Sequence, residues 1–113
     1  MDRPLKESVV IEFKSGRKCY SLAKLYEDLV GMANTDDGRL FLGMEDDRTP
    51  TGVDRQHRNG QYMEAVIQEN TTSSLYVRTH IEHWDGYDIL AIEVPISRQL
   101  MMTAEGKYLR RRL

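Results

Sequence analysis

The chain is poor in cysteine, proline and long apolar runs, and each shortage excludes a class of protein. Its 113 residues contain one cysteine, Cys19, and three prolines. A single cysteine cannot form an internal disulfide, which excludes a disulfide-stapled secreted scaffold and favours a reducing, cytoplasmic location. There is no run of about 18 apolar residues, and the first 20 residues are too charged for a signal peptide. The sequence therefore predicts neither a membrane span nor secretion.

The usual motifs for nucleotides and zinc are also missing. The sequence has no GxxxxGK[ST] phosphate loop, no GxGxxG following a strand and no CxxC pair. Its three histidines, His57, His80 and His83, do not have the spacing of metal ligands on a helix. We therefore expect no nucleotide or zinc cofactor in this segment.

The charge is nearly balanced overall but uneven along the chain. The formal net charge is −2, with 40% hydrophobic and 30% charged residues, which is typical of a globular domain. Residues 1–24 hold six Lys and Arg against three Asp and Glu, and residues 98–113 hold five against one. Residues 26–47 hold seven acids and one base. The two basic ends either form a patch for an anionic ligand or intermix with the acidic residues on the folded surface.

Hydrophobic periodicity predicts a single α+β domain over residues 1–113, with a mixed sheet and the order β-α-β-α-β-β-β. Leu22 to Ala33 follow helical spacing after Ser21, a candidate N-cap, and Asn34 to Gly38 end this helix with residues typical of turns. Asp85-Gly86 separates two alternating runs, which is the strongest hairpin signal in the chain. The predicted strands are Val9–Lys14, Arg39–Met44, Leu75–Trp84, Tyr87–Val94 and Lys107–Arg111, and the second helix is Gln61–Asn70.

Carboxylates follow two of the predicted strands. Glu7 and Glu12 lie at the start and in the middle of the first strand, and Glu45, Asp46 and Asp47 follow the second. If these strands are neighbours, the carboxylates can converge at one edge of the sheet, where Mg²⁺ or Mn²⁺ would find the oxygen ligands it prefers. The alternative is that Glu45 to Asp47 form only a polar turn.

Several strings together resemble one family. Glu7-Ser8 followed by Glu12-Phe13-Lys14 resembles an "ES…EFK" opening, and residues 32–47 (MANTDDGRLFLGMEDD) resemble "AFANTxGGxLxIGVxDD". Residues 51–53, 89–95 and 106–110 resemble the turn, the "vLxIxVP" strand and the "gxYYxR" close of the same pattern, in the same order. The chain thus resembles the AlbA-like DNA-binding domain shared with Schlafen proteins, the AlbA_2 type. It departs from the pattern at Asp37, where the family usually has glycine.

The resemblance implies the N-terminal part of a longer bacterial protein, a transcriptional regulator or a RecG-like helicase relative. Any ATP-binding function would then belong to a C-terminal region. The first hypothesis is a nucleic-acid-binding module for DNA or RNA, with little sequence dependence because no base-reading helix is apparent. Its predicted phosphate contacts are Lys14, Arg17, Lys18, Arg110, Arg111 and Arg112.

The second hypothesis is a metal-dependent endoribonuclease. By resemblance to Schlafen relatives, Glu7, Glu12 and Asp46 would be its catalytic and metal-binding carboxylates, with Mg²⁺ or Mn²⁺ and a bound water as nucleophile. A third hypothesis is a structural or homodimerisation module. Asn34, Thr35 and Gly38 are predicted to form a structural turn in every case, with Gly38 supplying the backbone freedom of a helix-to-strand reversal.

Overall fold

Two helices pack on one face of a four-stranded sheet. The computed structural model describes residues 10–35, 37–72, 75–97 and 100–106. The elements follow in the order β1 (Val10–Lys14), α1 (Leu22–Ala33), β2 (Gly38–Leu42), a 3-10 turn (Arg55–His57), α2 (Gly60–Glu69), β3 (Arg78–Trp84) and β4 (Tyr87–Val94). This order confirms the predicted α+β fold, while the predicted last strand, Lys107–Arg111, lies outside the described residues.

The sheet is mixed and has the strand order β1-β2-β4-β3. β1 pairs in parallel with β2, so the first two strands are neighbours, and the other two pairings are antiparallel. The two residues predicted for the turn, Asp85 and Gly86, close the β3–β4 hairpin. Both have positive φ, 50° at Asp85 and 85° at Gly86. Positive φ at both central residues suits the right-handed twist of the paired strands.

The main core lies between the sheet and the helices. Side chains alternate along each strand, so that Leu40 and Leu42 of β2 lie on the same face as Leu90 and Ile92 of β4. These strand residues form one buried cluster with α1 and α2, whose buried members include Leu25, Leu29, Val30, Met32, Ala33, Met63 and Ile67. Within the described parts of the chain, neither helix is long and apolar enough to cross a membrane.

The helices begin where side chains cap them. The Ser21 hydroxyl accepts a hydrogen bond from the Lys24 amide at 3.4 Å, and the Asn59 side chain accepts one from the Tyr62 amide at 3.0 Å. Close packing fixes the start of α2, because a Cβ added at Gly60 would lie 2.3 Å from Thr79 Oγ1 on β3. With Asn59 as its N-cap, the helix begins at Gly60, one residue earlier than its periodicity predicts.

Two strands are shorter than predicted, for local reasons. β2 ends at Leu42 because Gly43 has φ 103° and the amides of Gly43 and Met44 both donate to the Lys14 carbonyl. β3 begins at Arg78 rather than Leu75, since the Leu75 amide donates to Thr71 Oγ1 instead of to a neighbouring strand.

The opposite face of the sheet receives neither helix. Along β1 and β2 it carries Phe13 and Phe41, whose rings stack with their centroids 5.6 Å apart. Along β3 and β4 it carries Trp84 and Tyr87, which are cross-strand partners and therefore project to the same side. We call this the helix-free face; the name refers only to the helices of the described residues.

Candidate nucleic-acid interface

Two loops meet at one end of the sheet, where parallel strands β1 and β2 both finish. A Cβ added at Gly16 would lie 1.6 Å from the Gly52 carbonyl oxygen, and one added at Gly43 would lie 2.4 Å from the Val53 amide nitrogen. The Gly16 amide also donates to Thr51 Oγ1 at 2.8 Å. The Val53 amide then donates to the Asp88 carbonyl at 2.7 Å, which joins the same loops to the start of β4. Backbone contacts therefore hold this end of the sheet together.

Five cationic side chains extend from these loops. The Arg17 side chain is 70% exposed and the Arg58 side chain 60% exposed. We define the loop-end surface as the exposed residues Arg17, Lys18, Arg48, Arg55 and Arg58. Guanidinium groups pair well with phosphate because their fork presents two donors to two oxygens.

Arg48 reaches across towards the helix-free face. It has a left-handed backbone, with φ 70°, at the end of a turn in which its amide donates to the Glu45 carbonyl. Its guanidinium carbon lies 5.9 Å from the centre of the Phe13 ring, a cation–π distance. The left-handed conformation therefore directs a cation over an aromatic ring beside the loops.

Carboxylates in the same loops mostly serve the loops themselves. Glu45 accepts from Thr51 Oγ1 at 3.1 Å and lies 3.7 Å from Arg17. Asp54 accepts from the Gln56 amide and so caps the 3-10 turn. Hydrogen bonds from the Thr49 side chain and backbone hold the pKa of Asp47 below its usual value. These acids therefore stabilise the loops among the cations.

The structure places Lys14 differently from the other predicted phosphate contacts. Its ammonium group lies 3.1 Å from Glu12 and 3.6 Å from Asp28 of α1, and it sits 5.2 Å from the centre of the Tyr20 ring. The Lys14 side chain is 24% exposed and both carboxylates are 15% exposed. Lys14 therefore neutralises two partly buried acids instead of extending into solvent.

Tyr20 completes this cluster. Its hydroxyl donates to Asp28 Oδ2 at 2.5 Å. Burial and the neighbouring Asp28 carboxylate raise the pKa of Tyr20 to about 12, because both disfavour the phenolate. Tyr20 is therefore a neutral hydrogen-bond donor at physiological pH.

The three predicted metal-binding carboxylates are not brought together within the described residues. Glu7 lies outside them, Glu12 is paired with Lys14, and Asp46 is exposed in the turn after β2. Register places Glu12 on the helix side of the sheet, opposite Leu40. No group of three or more His, Cys, Asp or Glu side chains in the described ranges could hold a metal ion. A divalent cation at Glu12 would have to displace an ammonium group, and the nuclease hypothesis stays a prediction.

The predicted turn residues divide into two roles. Asn34 ends α1, and its side-chain amide donates to the Met101 carbonyl at 2.9 Å while its oxygen accepts from the Met101 amide at 2.8 Å. Thr35 Oγ1 donates to the Gly31 carbonyl. Gly38, by contrast, is the first residue of β2 and pairs with Val10 and Val94. It is buried in the sheet rather than placed in the reversal itself.

Some predicted and observed cations do not coincide. Arg17 and Lys18 lie in the loop-end surface, whereas Arg110, Arg111 and Arg112 lie outside the described residues. Arg48, Arg55 and Arg58 are not among the phosphate contacts predicted from the sequence. Asp54, a capping residue followed by Arg55 and Arg58, was a usable local signal. The contacts that bring this segment to the end of the sheet, such as the Val53 amide with the Asp88 carbonyl, join distant parts of the chain.

Comparison with solved structures gives two neighbours, which show the fold. The crystal structure of the DIP2311 protein from Corynebacterium diphtheriae superposes with a TM-score of 0.72 at 20% identity, covering 94% of this chain and 23% of that one. The solution structure of the N-terminal domain of a RecG-related helicase protein from Nitrosomonas europaea superposes with a TM-score of 0.60 at 19% identity, covering 96% and 82%. This chain thus spans about a quarter of the DIP2311 protein.

The sequence itself matches a family model over nearly its whole length. A search of the curated proteins finds no match. The model described as Schlafen, AlbA_2 matches residues 7–112, which include the loop-end surface and both helices. The chain belongs to the Schlafen AlbA_2 family.

Proposed function

We propose that this domain binds nucleic acid through the phosphate backbone, using the cations of the loop-end surface, with little dependence on base sequence. The observation that carries the proposal is the meeting of Arg17, Lys18 and Arg48 on two loops at the end of neighbouring parallel strands. Membership of the AlbA_2 family supports it, as does the likeness to the N-terminal domain of a RecG-related helicase protein.

The loop geometry suits phosphate contacts better than base reading. The cations lie on loops that backbone contacts hold at the end of the sheet. Phosphate contacts fix position and release counterions but carry little sequence information. Affinity is therefore expected to fall steeply with salt and to vary little among sequences.

The test is fluorescence anisotropy with a labelled 20-base-pair duplex at several salt concentrations. We expect the double variant R17Q/K18Q to weaken binding and to reduce the slope of log affinity against log salt by about 1.8, since each lost phosphate contact removes about 0.9. R78Q is the matched control, because Arg78 is an exposed arginine at the opposite end of β3.

The outcomes separate the candidate cations. A slope unchanged in R17Q/K18Q but reduced in R110Q/R112Q would move the interface to the C-terminal arginines and overturn the loop-end assignment. Binding that does not respond to salt would overturn the proposal as a whole. Incubating single-stranded RNA with the domain and Mn²⁺ provides a further check. If the unaltered domain cleaves the RNA and E12Q does not, the endoribonuclease hypothesis is established instead.

A further inference from the structure

We propose that Trp84 and Tyr87 form a stacking platform for unpaired bases, so that this domain prefers single-stranded over double-stranded nucleic acid. The inference rests on the proposed nucleic-acid binding and names the form of nucleic acid that is bound. It starts from two large aromatic side chains that remain 50% and 46% exposed at the end of the β3–β4 hairpin.

The two rings belong to one surface. Trp84 and Tyr87 are the last cross-strand pair before the hairpin turn, so both side chains project from the helix-free face. Neither ring belongs to the buried helix-side cluster of the described residues. Two neighbouring exposed rings form a joint apolar area, which is the kind of surface that serves binding more often than a single exposed side chain does.

The rings are also held in place before any ligand arrives. The Trp84 indole N–H donates to Glu82 Oε1 at 2.9 Å, and His80 Nε2 lies 2.8 Å from Glu82 Oε2. Burial of Glu82 raises its pKa, but these hydrogen bonds outweigh burial and lower it overall, so the anchoring group is a carboxylate. The Tyr87 ring rests beside Gly52, where an added Cβ would lie 3.2 Å from Cδ1. Ordered rings lose little conformational entropy on binding.

The platform adjoins the loop-end surface, and the charge there identifies the occupant. Tyr87 lies beside Gly52, and the neighbouring Thr51 accepts a hydrogen bond from the Gly16 amide, next to Arg17. On the helix-free face itself, the Arg48 guanidinium carbon lies 5.9 Å from the centre of the Phe13 ring. Exposed rings flanked by guanidinium groups match a ligand that offers flat π-faces along a chain of negative charges.

A single strand supplies both features, whereas a duplex supplies only one. Stacked base pairs hide their faces inside the double helix, so a duplex presents phosphates to the loop-end cations but no base face to Trp84 or Tyr87. Unpaired bases can turn outward onto the rings while their phosphates stay with Arg17 and Arg48. The added stacking is the source of the expected preference.

The chain carries its own probe, because Trp84 is the single tryptophan in the sequence. The experiment titrates the domain with a 15-nucleotide thymidine strand, and separately with a 15-base-pair duplex, exciting at 295 nm. We expect the single strand to quench Trp84 emission to less than half and the duplex to change it little. Anisotropy with labelled versions of both ligands reports binding independently of the tryptophan.

Substitution separates stacking from charge. W84A and Y87A are each expected to weaken single-strand binding by roughly 5- to 150-fold, the range for loss of one stacked base, and to change duplex affinity less than twofold. W84F should restore most of the loss because it keeps an aromatic face. Y76A is the matched control, since Tyr76 is 66% exposed just before β3, outside the hairpin pair. Far-UV circular dichroism checks that each variant is folded.

The outcomes distinguish this inference from the proposed function. Equal affinities for both ligands, unchanged in W84A and Y87A, would overturn the platform and leave phosphate binding in place. Absence of binding to either ligand would overturn both. A protein that sediments as a dimer and becomes monomeric in W84A, with single-strand affinity unchanged, would assign the rings to an interface between two copies and also overturn the platform.

Discussion

Gly16 lies where two backbone segments touch, and no side chain can share that space. Its missing Cβ would overlap the Gly52 carbonyl carbon and oxygen and approach the Gly43 Cα at 3.1 Å. Backbone atoms cannot rotate away as a long side chain can, so a methyl group here forces the loops apart. The same contact positions Arg17, the next residue, in the loop-end surface.

We predict that G16A lowers the free energy of unfolding by about 3 kcal/mol, the upper end for overpacking. G86A is the control: Gly86 has φ 85° but nothing within 4 Å of an added Cβ, so its cost is limited to about 1 kcal/mol of backbone strain. Urea denaturation followed by circular dichroism measures both. A G16A variant as stable as G86A would show that the loops do not meet as described.

Single residues also show which features a sequence can predict. The Asp85-Gly86 turn was predictable, because its conformation depends on those two residues and the alternation beside them. The contact of Gly16 with Gly52 was not, because it joins segments 36 positions apart. Lys14 illustrates the same limit. The sequence predicts an exposed cation, whereas in the fold α1 places Asp28 3.6 Å from the Lys14 ammonium group.

At the scale of elements, one carboxylate joins α2 to the edge strand β3. Glu64 Oε2 accepts from the Thr79 amide at 2.9 Å and from Thr79 Oγ1 at 2.6 Å. β3 is an edge strand, and this pairing satisfies one of the amide donors outside its ladder with β4. Gly60, one helical turn earlier, lets the helix approach the same threonine. α2 is therefore attached to β3 by a specific contact in addition to its apolar side.

We predict that E64A lowers the free energy of unfolding by about 1.5–3 kcal/mol, because it leaves the Thr79 donors without a charged acceptor. E69A is the matched control, since Glu69 is an exposed residue of the same helix and the gain in helix propensity is equal. In E64A, the Thr79 amide should also exchange its hydrogen faster, because it loses the Glu64 acceptor. Equal stability of the two variants would mean that the apolar contacts alone hold α2.

Element boundaries were predictable where capping and turn residues fix them, and less so elsewhere. α1 has the predicted start and end, because Ser21 and Asn34 are strong local signals. Val77 and Leu75 are buried like strand residues, yet the chain enters β3 only at Arg78. Apolar character reports burial, and it cannot tell a strand from a buried loop whose amides find side-chain acceptors.

At the scale of the whole molecule, both helices and the central strands share one core. α1, β2, α2 and β4 all contribute residues to the same buried cluster, and the β3–β4 hairpin extends from it. Periodicity predicted this layered α+β arrangement, but the order β1-β2-β4-β3 and the side taken by the helices depend on pairings between distant segments. The loop-end surface and the Trp84–Tyr87 pair are products of that order, so the sequence alone could not place them together.

A single core predicts a single unfolding transition. Far-UV circular dichroism reports mainly the helices, whereas fluorescence reports Trp84 at the end of the hairpin, so coincident urea midpoints would show that both belong to one cooperative unit. L90A should lower both midpoints by the same amount and lower the free energy of unfolding by about 2–5 kcal/mol. Leu90 of β4 is fully buried in the cluster between the sheet and the helices. A fluorescence midpoint below the circular dichroism midpoint would instead mean that the hairpin melts by itself. The aromatic rings would then lack the fixed arrangement that stacking requires, whereas the shared core predicts that they keep it until the whole domain unfolds.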